Sequence, residues 1–391
     1  MVIGLFNDSY DPIIDGVGVC VRNYARTLQQ RGSTPYVVVP SVPNFVDNAE
    51  FNILRYASFQ LPVMAPYRAG VPGLDIEFTK RVYSVPFDIV HSHSPFVSGS
   101  IALKIARKRR IPIITTFHSK YRDDLRKALY FERPAELALS YLIRFYEAVD
   151  HVWVPNEATG ATLREYGYEG PVEVFPNGVD IAVPTDEEYD RYRRVGRASI
   201  EANDGRFVFL FIGQHRWEKN VRLIIEAMKV LSDRRVDYLM LFAGSGYAEK
   251  EMHKLVANLH LNERIRFLGQ ISEREAIKRL YAAADLFLFP SVYDNAPLVV
   301  REAAAFGLPS VLAVNSSAAE GVVDGENGFL TENSVEGFAE KLTSILIEPE
   351  TRARAGRGAR ATIYMSWEDV IERVLERYAE IVAEFRLSPT R

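Results

Sequence analysis

Short apolar runs recur along the chain, and stretches with helical spacing separate them. The runs predict strands at Val2–Phe6, Tyr36–Val39, Ile89–His91, Ile113–Phe117, His151–Val154 and Val172–Phe175. A second set follows at Phe207–Ile212, Tyr238–Ala243, Ile265–Leu268, Leu286–Phe289 and Ser310–Ala313. Val19–Gln30, Val221–Leu231 and Pro297–Phe306 place apolar residues at helical spacing. Strands that are apolar throughout and alternate with helices imply parallel sheets covered on both faces, an α/β class. The alternation weakens in a highly charged stretch, 183–205, read as a surface helix and loop between two doubly wound units. The expected domains are 1–185, 186–368 and a closing segment, 369–391. That last segment continues one amphipathic helix over Ser366–Phe385, which Ser366 can cap and which carries Glu368 and Asp369 in its first turn.

Length agrees with two domains, since 391 residues at roughly 100–200 per domain make about two. A hydrophobic content of 48% with 25% charged residues suits a globular chain with a sizeable core. A net charge of −4 gives no reason to expect nucleic acid as a partner. Cys20 is the single cysteine, so neither an internal disulfide framework nor a cysteine-rich zinc site is available. That composition fits a reducing, cytoplasmic setting. Met1–Phe6 has no basic region ahead of a long apolar one and reads as a strand, not a signal peptide. No uncharged apolar stretch reaches the ~18 residues a membrane span needs.

Open parallel sheets bind ligands beyond the carboxyl ends of their strands, and two such sheets are expected to share a cleft. The informative residues therefore follow the predicted strands. After the first comes Asp15-Gly16-Val17-Gly18, where glycines let backbone N–H groups approach a phosphate or simply make a tight turn. His118 follows Ile113–Phe117 as a contact for a sugar hydroxyl or a leaving group, or as a structural histidine. His91 and His93 form a His-x-His pair, but no third ligand at suitable spacing accompanies them; loop packing explains them and no metal site is predicted. Lys104, Arg107, Lys108, Arg109 and Arg110 form a basic run suited to a solvated helix face or to anionic lipid.

The second half is richer. Gly213-Gln214-His215-Arg216-Trp217-Glu218-Lys219 follows a strand and suits a diphosphate, with Lys219 a point charge and Arg216 a planar fork. Gly244-Ser245-Gly246 makes a second glycine turn. Asp294-Asn295-Ala296-Pro297 leads into a helix whose free N–H groups near Leu298 and Val299 form an anion site. Glu302 lies eight residues beyond Asp294, about two turns deeper. Acids there suit sugar or ribose hydroxyls, which donate hydrogen bonds to them.

In this order the motifs resemble the retaining family-four glycosyltransferases, which have the two-domain GT-B fold. The resemblance spans nearly the whole chain. It rests on Asp15-Gly16-Val17, Thr116-Phe117-His118-Ser119, Pro176-Asn177-Gly178-Val179-Asp180, the Gly213–Lys219 segment, Asp294 to Glu302 (similar to the family's Glu-x7-Glu signature) and Ser366-Trp367-Glu368 with its helix. It implies that Lys219 neutralises the departing diphosphate, Glu302 holds the ribose and Asp294 and His118 contact the donor sugar. Gly16, Val17 and the N–H groups near Leu298 would cradle phosphate oxygens. It also implies a hexosyl transfer with retention, without metal or cofactor and without a protein nucleophile. Gln214 stands where the family usually has arginine, and Asp294 where it usually has glutamate.

The acceptor is less legible. The opening motif and His93-Ser94-Pro95-Phe96 resemble members acting on membrane lipids, and the basic run with Leu61–Val71 would give a lipid-facing surface at the cytoplasmic face of a membrane. Polysaccharide-building members look much alike. A UDP-sugar is favoured over a GDP-sugar by resemblance alone. A sugar-nucleotide epimerase on the same fold and a catalytically silent nucleotide-binding subunit are the competing readings.

Overall fold

A computed structural model describes residues 1–391 apart from 14, 61–66, 119–120, 123–124, 126–131, 203–204 and 388–391. Most of the Leu61–Val71 stretch, and Ser119, therefore lie outside the described residues. The chain divides into two compact units, Met1–Gly178 with Trp367–Arg391, and Val179–Ser366. The first border falls at 178/179 instead of 185/186, because Ile181 is already buried in the core of the second unit. The second falls at 366/367 instead of 368/369, because Trp367 packs its ring 5.3 Å from that of Tyr24 in the first unit.

The first unit contains β1 (Val2–Phe6), β2 (Thr34–Pro40), β3 (Asn52–Tyr56), β4 (Ser58–Gln60), β5 (Arg68–Gly70), β6 (Ile89–Ser92), β7 (Ile113–Thr116), β8 (His151–Val154) and β9 (Glu173–Val174). Seven of these form one parallel sheet, in the order β3-β2-β1-β6-β7-β8-β9, and β4 and β5 pair antiparallel as a hairpin. β3, β4 and β5 are absent from the sequence-based expectation. The helix Trp367–Leu387 completes this unit. Tyr378 stacks on Trp153 with centroids 5.5 Å apart, and Arg377 donates to Glu173 at 2.7 Å.

The second unit contains β10 (Phe207–Ile212), β11 (Tyr238–Ala243), β12 (Ile265–Gly269), β13 (Leu286–Phe289), β14 (Ser310–Ala313) and β15 (Phe329–Thr331). They form a parallel sheet ordered β12-β11-β10-β13-β14-β15. β11, β13 and β14 are buried along their whole length, so their residues need no polar alternation. The charged stretch 183–205 is more than a surface linker. It forms the helix Asp186–Ser199, opened by a Thr185/Glu188 capping box. Tyr192, Gly196 and Arg197 on this helix are buried, and Arg193 and Arg197 reach Asp285 at 2.9 and 3.3 Å.

In both sheets the strand order reverses direction beside the first strand of the unit: between β1 and β6, and between β10 and β13. Loops leaving the carboxyl ends at such a reversal splay apart and leave a crevice for ligand.

Candidate active site

In the second unit the reversal brings together two loops far apart in sequence. One follows β10 and carries Gly213, Arg216 and Lys219; the other follows β13 and carries Asp294, Asn295, Ala296 and Pro297. The β10 loop is held by backbone bonds: Gly213 N–H donates to Ala243 O at 3.0 Å and His215 N–H to Ser245 O at 2.9 Å. This close approach explains Gly244. Its φ is +138°, and a Cβ there would lie 1.9 Å from the Gly213 carbonyl oxygen. His215 is fully buried beside Phe211, Phe242 and Phe267, and burial lowers its pKa against the opposing pull of Glu249. It anchors the loop.

The two loops meet through charge. Lys219 Nζ lies 2.5 Å from Asp294 Oδ1, and Ser291 Oγ donates to the other oxygen of Asp294 at 2.6 Å. Lys219 Nζ also sits 5.6 Å from the centre of the Phe289 ring. The Arg216 guanidinium lies 5.7 Å from the Tyr293 ring, directed at the residue next to Asp294. A cation thus reaches the β13 loop two residues beyond Gln214, where the family's usual arginine is missing.

The helix Leu298–Ala305 begins at the end of that loop. Pro297, expected as the first helical residue, is instead its N-cap, and no side chain caps it. The first N–H groups, those of Leu298 and Val299, start a helix with no acid in its first turn, an arrangement suited to an anion. Glu302, on the second turn, is buried and held by a set of partners that the sequence does not reveal. Arg274 Nη2 and Nη1 donate to Oε1 at 3.1 and 3.2 Å, and Tyr281 OH donates to Oε2 at 2.8 Å. Arg274 also pairs with Asp180 of the Pro176–Asp180 motif. Burial, then the charge of Glu302, raise the Tyr281 pKa well above its ordinary value, so the phenol stays a donor.

The first unit presents different chemistry. Asp15 is the N-cap of the helix Gly16–Gln30, and its Oδ1 accepts from Gly18 N–H at 2.7 Å. That carboxylate takes one of the free N–H groups of the turn. Gly16 and Val17 occupy the first helical positions, and a Cβ at Gly16 would meet nothing within 4 Å. Asp8, unmarked in the sequence pattern, joins the loops after β1 and β6. It accepts from Tyr56 OH at 2.9 Å, Ser94 Oγ at 2.7 Å, and Ser98 N–H and Oγ at 3.0 and 2.8 Å.

Three histidines lie at the carboxyl ends of β6 and β7, His91 within β6 and His93 and His118 just past the two strands. His91 bonds Tyr378 OH at 2.5 Å and Thr116 Oγ1 at 2.7 Å, a packing role that agrees with its sequence context. His93 Nδ1 lies 3.0 Å from His118 Nε2. Burial pushes the His118 pKa down to about 4 and holds those of His91 and His93 well below normal. All three are neutral imidazoles at physiological pH, able both to donate and to accept.

Two family models cover most of the chain. Residues 14–183 match the model described as Glycosyltransferase Family 4, and residues 193–362 match Glycosyl transferases group 1. Alpha-monoglucosyldiacylglycerol synthase of Streptococcus pneumoniae is 26% identical over 318 residues, covering 80% of this chain and 70% of the relative. GDP-mannose-dependent alpha-mannosyltransferase of Corynebacterium glutamicum is 23% identical over 394 residues, covering 98% and 90%. The crystal structure of Anabaena HepE in complex with UDP-glucose superposes with a TM-score of 0.75 at 19% identity, over 97% of this chain and all of that one (100%).

Proposed function

The chain belongs to the family-four glycosyltransferases of GT-B fold, enzymes acting on nucleotide sugars, and from that premise we propose that it moves a hexose from a UDP-sugar to a hydroxyl of a membrane lipid, with retention of configuration and without a divalent metal. The observation that carries the proposal is the junction of the β10 and β13 loops. Lys219, Arg216 and the uncapped helix start gather positive charge where a diphosphate would lie, with Glu302 on the second turn of that helix for the ribose.

On this reading the donor draws Lys219 away from Asp294, so the two part company as the diphosphate arrives. Lys219 and Arg216, with the N–H groups of Leu298 and Val299, then stabilise charge growing on the leaving phosphate. Gly213, Asn295, Ala296 and Pro297 shape the loops around it. The freed Asp294 accepts from a hydroxyl of the sugar. Glu302, already aimed by Arg274 and Tyr281, accepts from the ribose. His118 offers a neutral imidazole to the donor sugar. The acceptor oxygen attacks the face from which the diphosphate leaves, and the departing phosphate oxygen takes its proton. Positioning and charge account for the acceleration, with no covalent enzyme intermediate.

A lipid acceptor is supported by the relative named for alpha-monoglucosyldiacylglycerol. It is supported also by exposed Phe59, Leu74 and Ile76 in the first unit, and by the exposed Lys104, Arg107, Lys108 and Arg110. Among the described residues no helix is long and apolar enough to cross a membrane, so contact would be peripheral. The test is release of free nucleotide from UDP-, GDP- and ADP-sugars in EDTA, with and without anionic lipid vesicles, and the anomeric configuration of the product. UDP release that rises with vesicles is the expected result. Release only from a GDP-sugar, an inverted product or a need for added metal would each overturn the corresponding part.

A further inference from the structure

Cys20, His93 and His118 come from three separate elements of the first unit: the helix Gly16–Gln30, the loop after β6 and the loop after β7. Each offers one ligand atom, and those atoms all lie within 4.8 Å of one another. We propose that this cluster is a binding site for a soft divalent ion, of which Zn²⁺ is the representative, and that its occupancy silences the enzyme.

The donor set has the chemistry for it. One thiolate and two imidazoles, leaving one position open, suit four-coordinate zinc. Ligand atoms around such an ion sit about 3.3–3.6 Å apart, from bond lengths of about 2.0–2.3 Å. His93 Nδ1 and His118 Nε2 are 3.0 Å apart, so the imidazoles already stand close to ligating separation. The cysteine sulfur needs to close about 1.5 Å at most, a shift on the scale of a side-chain adjustment.

His93 is 1% exposed and presents Nδ1 to His118, which leaves Nε2 to carry the ring proton in the bound state. Cys20 is buried and donates its S–H to Asn177 Oδ1 at 3.3 Å, so neither a disulfide nor the proposed transfer chemistry uses it. The binding step balances simply: the ion takes up the sulfur and two ring nitrogens, the Cys20 S–H bond breaks, and one proton leaves to solvent.

The silencing rests on the reading of His118 given above: an imidazole bound to metal no longer contacts the donor sugar. The ion would therefore act against the reaction and supply no part of it, so a transferase that works in EDTA and a zinc site in the same chain are compatible.

The test uses the full chain, stripped with EDTA and titrated with Co²⁺. Expected are a near-ultraviolet thiolate-to-cobalt band, intense visible bands of a four-coordinate ion, displacement by Zn²⁺ and about one proton released per ion. Cys20→Ser removes the near-ultraviolet band, and His93→Gln weakens binding by about tenfold or more. No thiolate band in the wild type, or an identical band in Cys20→Ser, overturns the site. In the nucleotide-release assay, micromolar Zn²⁺ stops turnover, EDTA restores it, and Cys20→Ser turns over as the wild type does and resists the ion. A cobalt spectrum with no inhibition overturns the silencing alone. The spectrum needs no turnover, so the metal site stands or falls by it even in a chain with no transferase activity.

Discussion

The two units share a strand order and a reversal beside their first strand, yet they furnish those reversals with opposite chemistry. The second unit lines its loops with permanent charge: Lys219, Arg216, Asp294, and Glu302 with Arg274. The first lines its own with neutral imidazoles packed against Tyr24 and Tyr378, and with two aspartates spent on local bonds, Asp15 on capping and Asp8 on joining loops. A nucleotide diphosphate needs cations. A sugar needs partners that donate and accept without carrying charge. Similar scaffolds differ at their loops, where insertion and substitution cost the fold least.

Four measurements break or sharpen this contrast. The largest effect is expected from Lys219→Ala, which lowers kcat about 10²–10³-fold, about 3–4 kcal/mol, with donor KM changed much less. Steady-state kinetics read it, and a change confined to KM would deny the charged loop its place at the leaving group. Next comes acid sensitivity of the first unit. The folded His118 pKa of about 4 lies below its ordinary 6.5, so between those values the unfolded chain binds more protons than the folded one. Stability therefore falls as pH drops through 6.5 towards 4, by about 3 kcal/mol at pH 4 from this one residue. Urea melts at pH 7 and pH 4 measure it, and His118→Gln flattens that part of the slope. An unchanged slope would mean the imidazole is not held neutral. Glu302→Gln is expected to raise donor KM by about 2 kcal/mol with kcat largely spared, since the ribose is bound alike before and during reaction. Tyr281→Phe has the smallest effect, about 1 kcal/mol on the same KM, because one of Glu302's holders is removed and Arg274 remains. If Tyr281→Phe lowers kcat instead, the phenol does more than aim the carboxylate.

Legibility in the sequence follows the same divide. Long, wholly apolar strands such as β10 and β11 appear at their observed bounds, because nothing but a buried parallel strand accounts for such runs. β4, β5 and β15, at three residues each, carry too little pattern to separate from loop. Lys219, Asp294 and Glu302 stand out because each follows a strand or helix start by a fixed offset. Arg274 and Tyr281 do not. They sit on another helix, and only folding brings them to Glu302, 28 and 21 residues away. The cluster of Cys20, His93 and His118, which does not include His91, is likewise invisible to spacing. Cys20 lies within the helix Gly16–Gln30 and His118 in the loop after β7, and the His93–His118 approach depends on β6 lying beside β7.

The helix Trp367–Leu387 has a consequence for the order of events at the ribosome. It covers Tyr24, His91 and Trp153, residues made more than two hundred positions earlier. Domains commonly fold in the order they are synthesised. Here the first unit to emerge must wait for the last helix to be translated, while the second, contiguous in sequence, can finish ahead of it. Until then its aromatic face stays open to solvent, and a nascent chain stalled before Trp367 should be the species that chaperones hold longest.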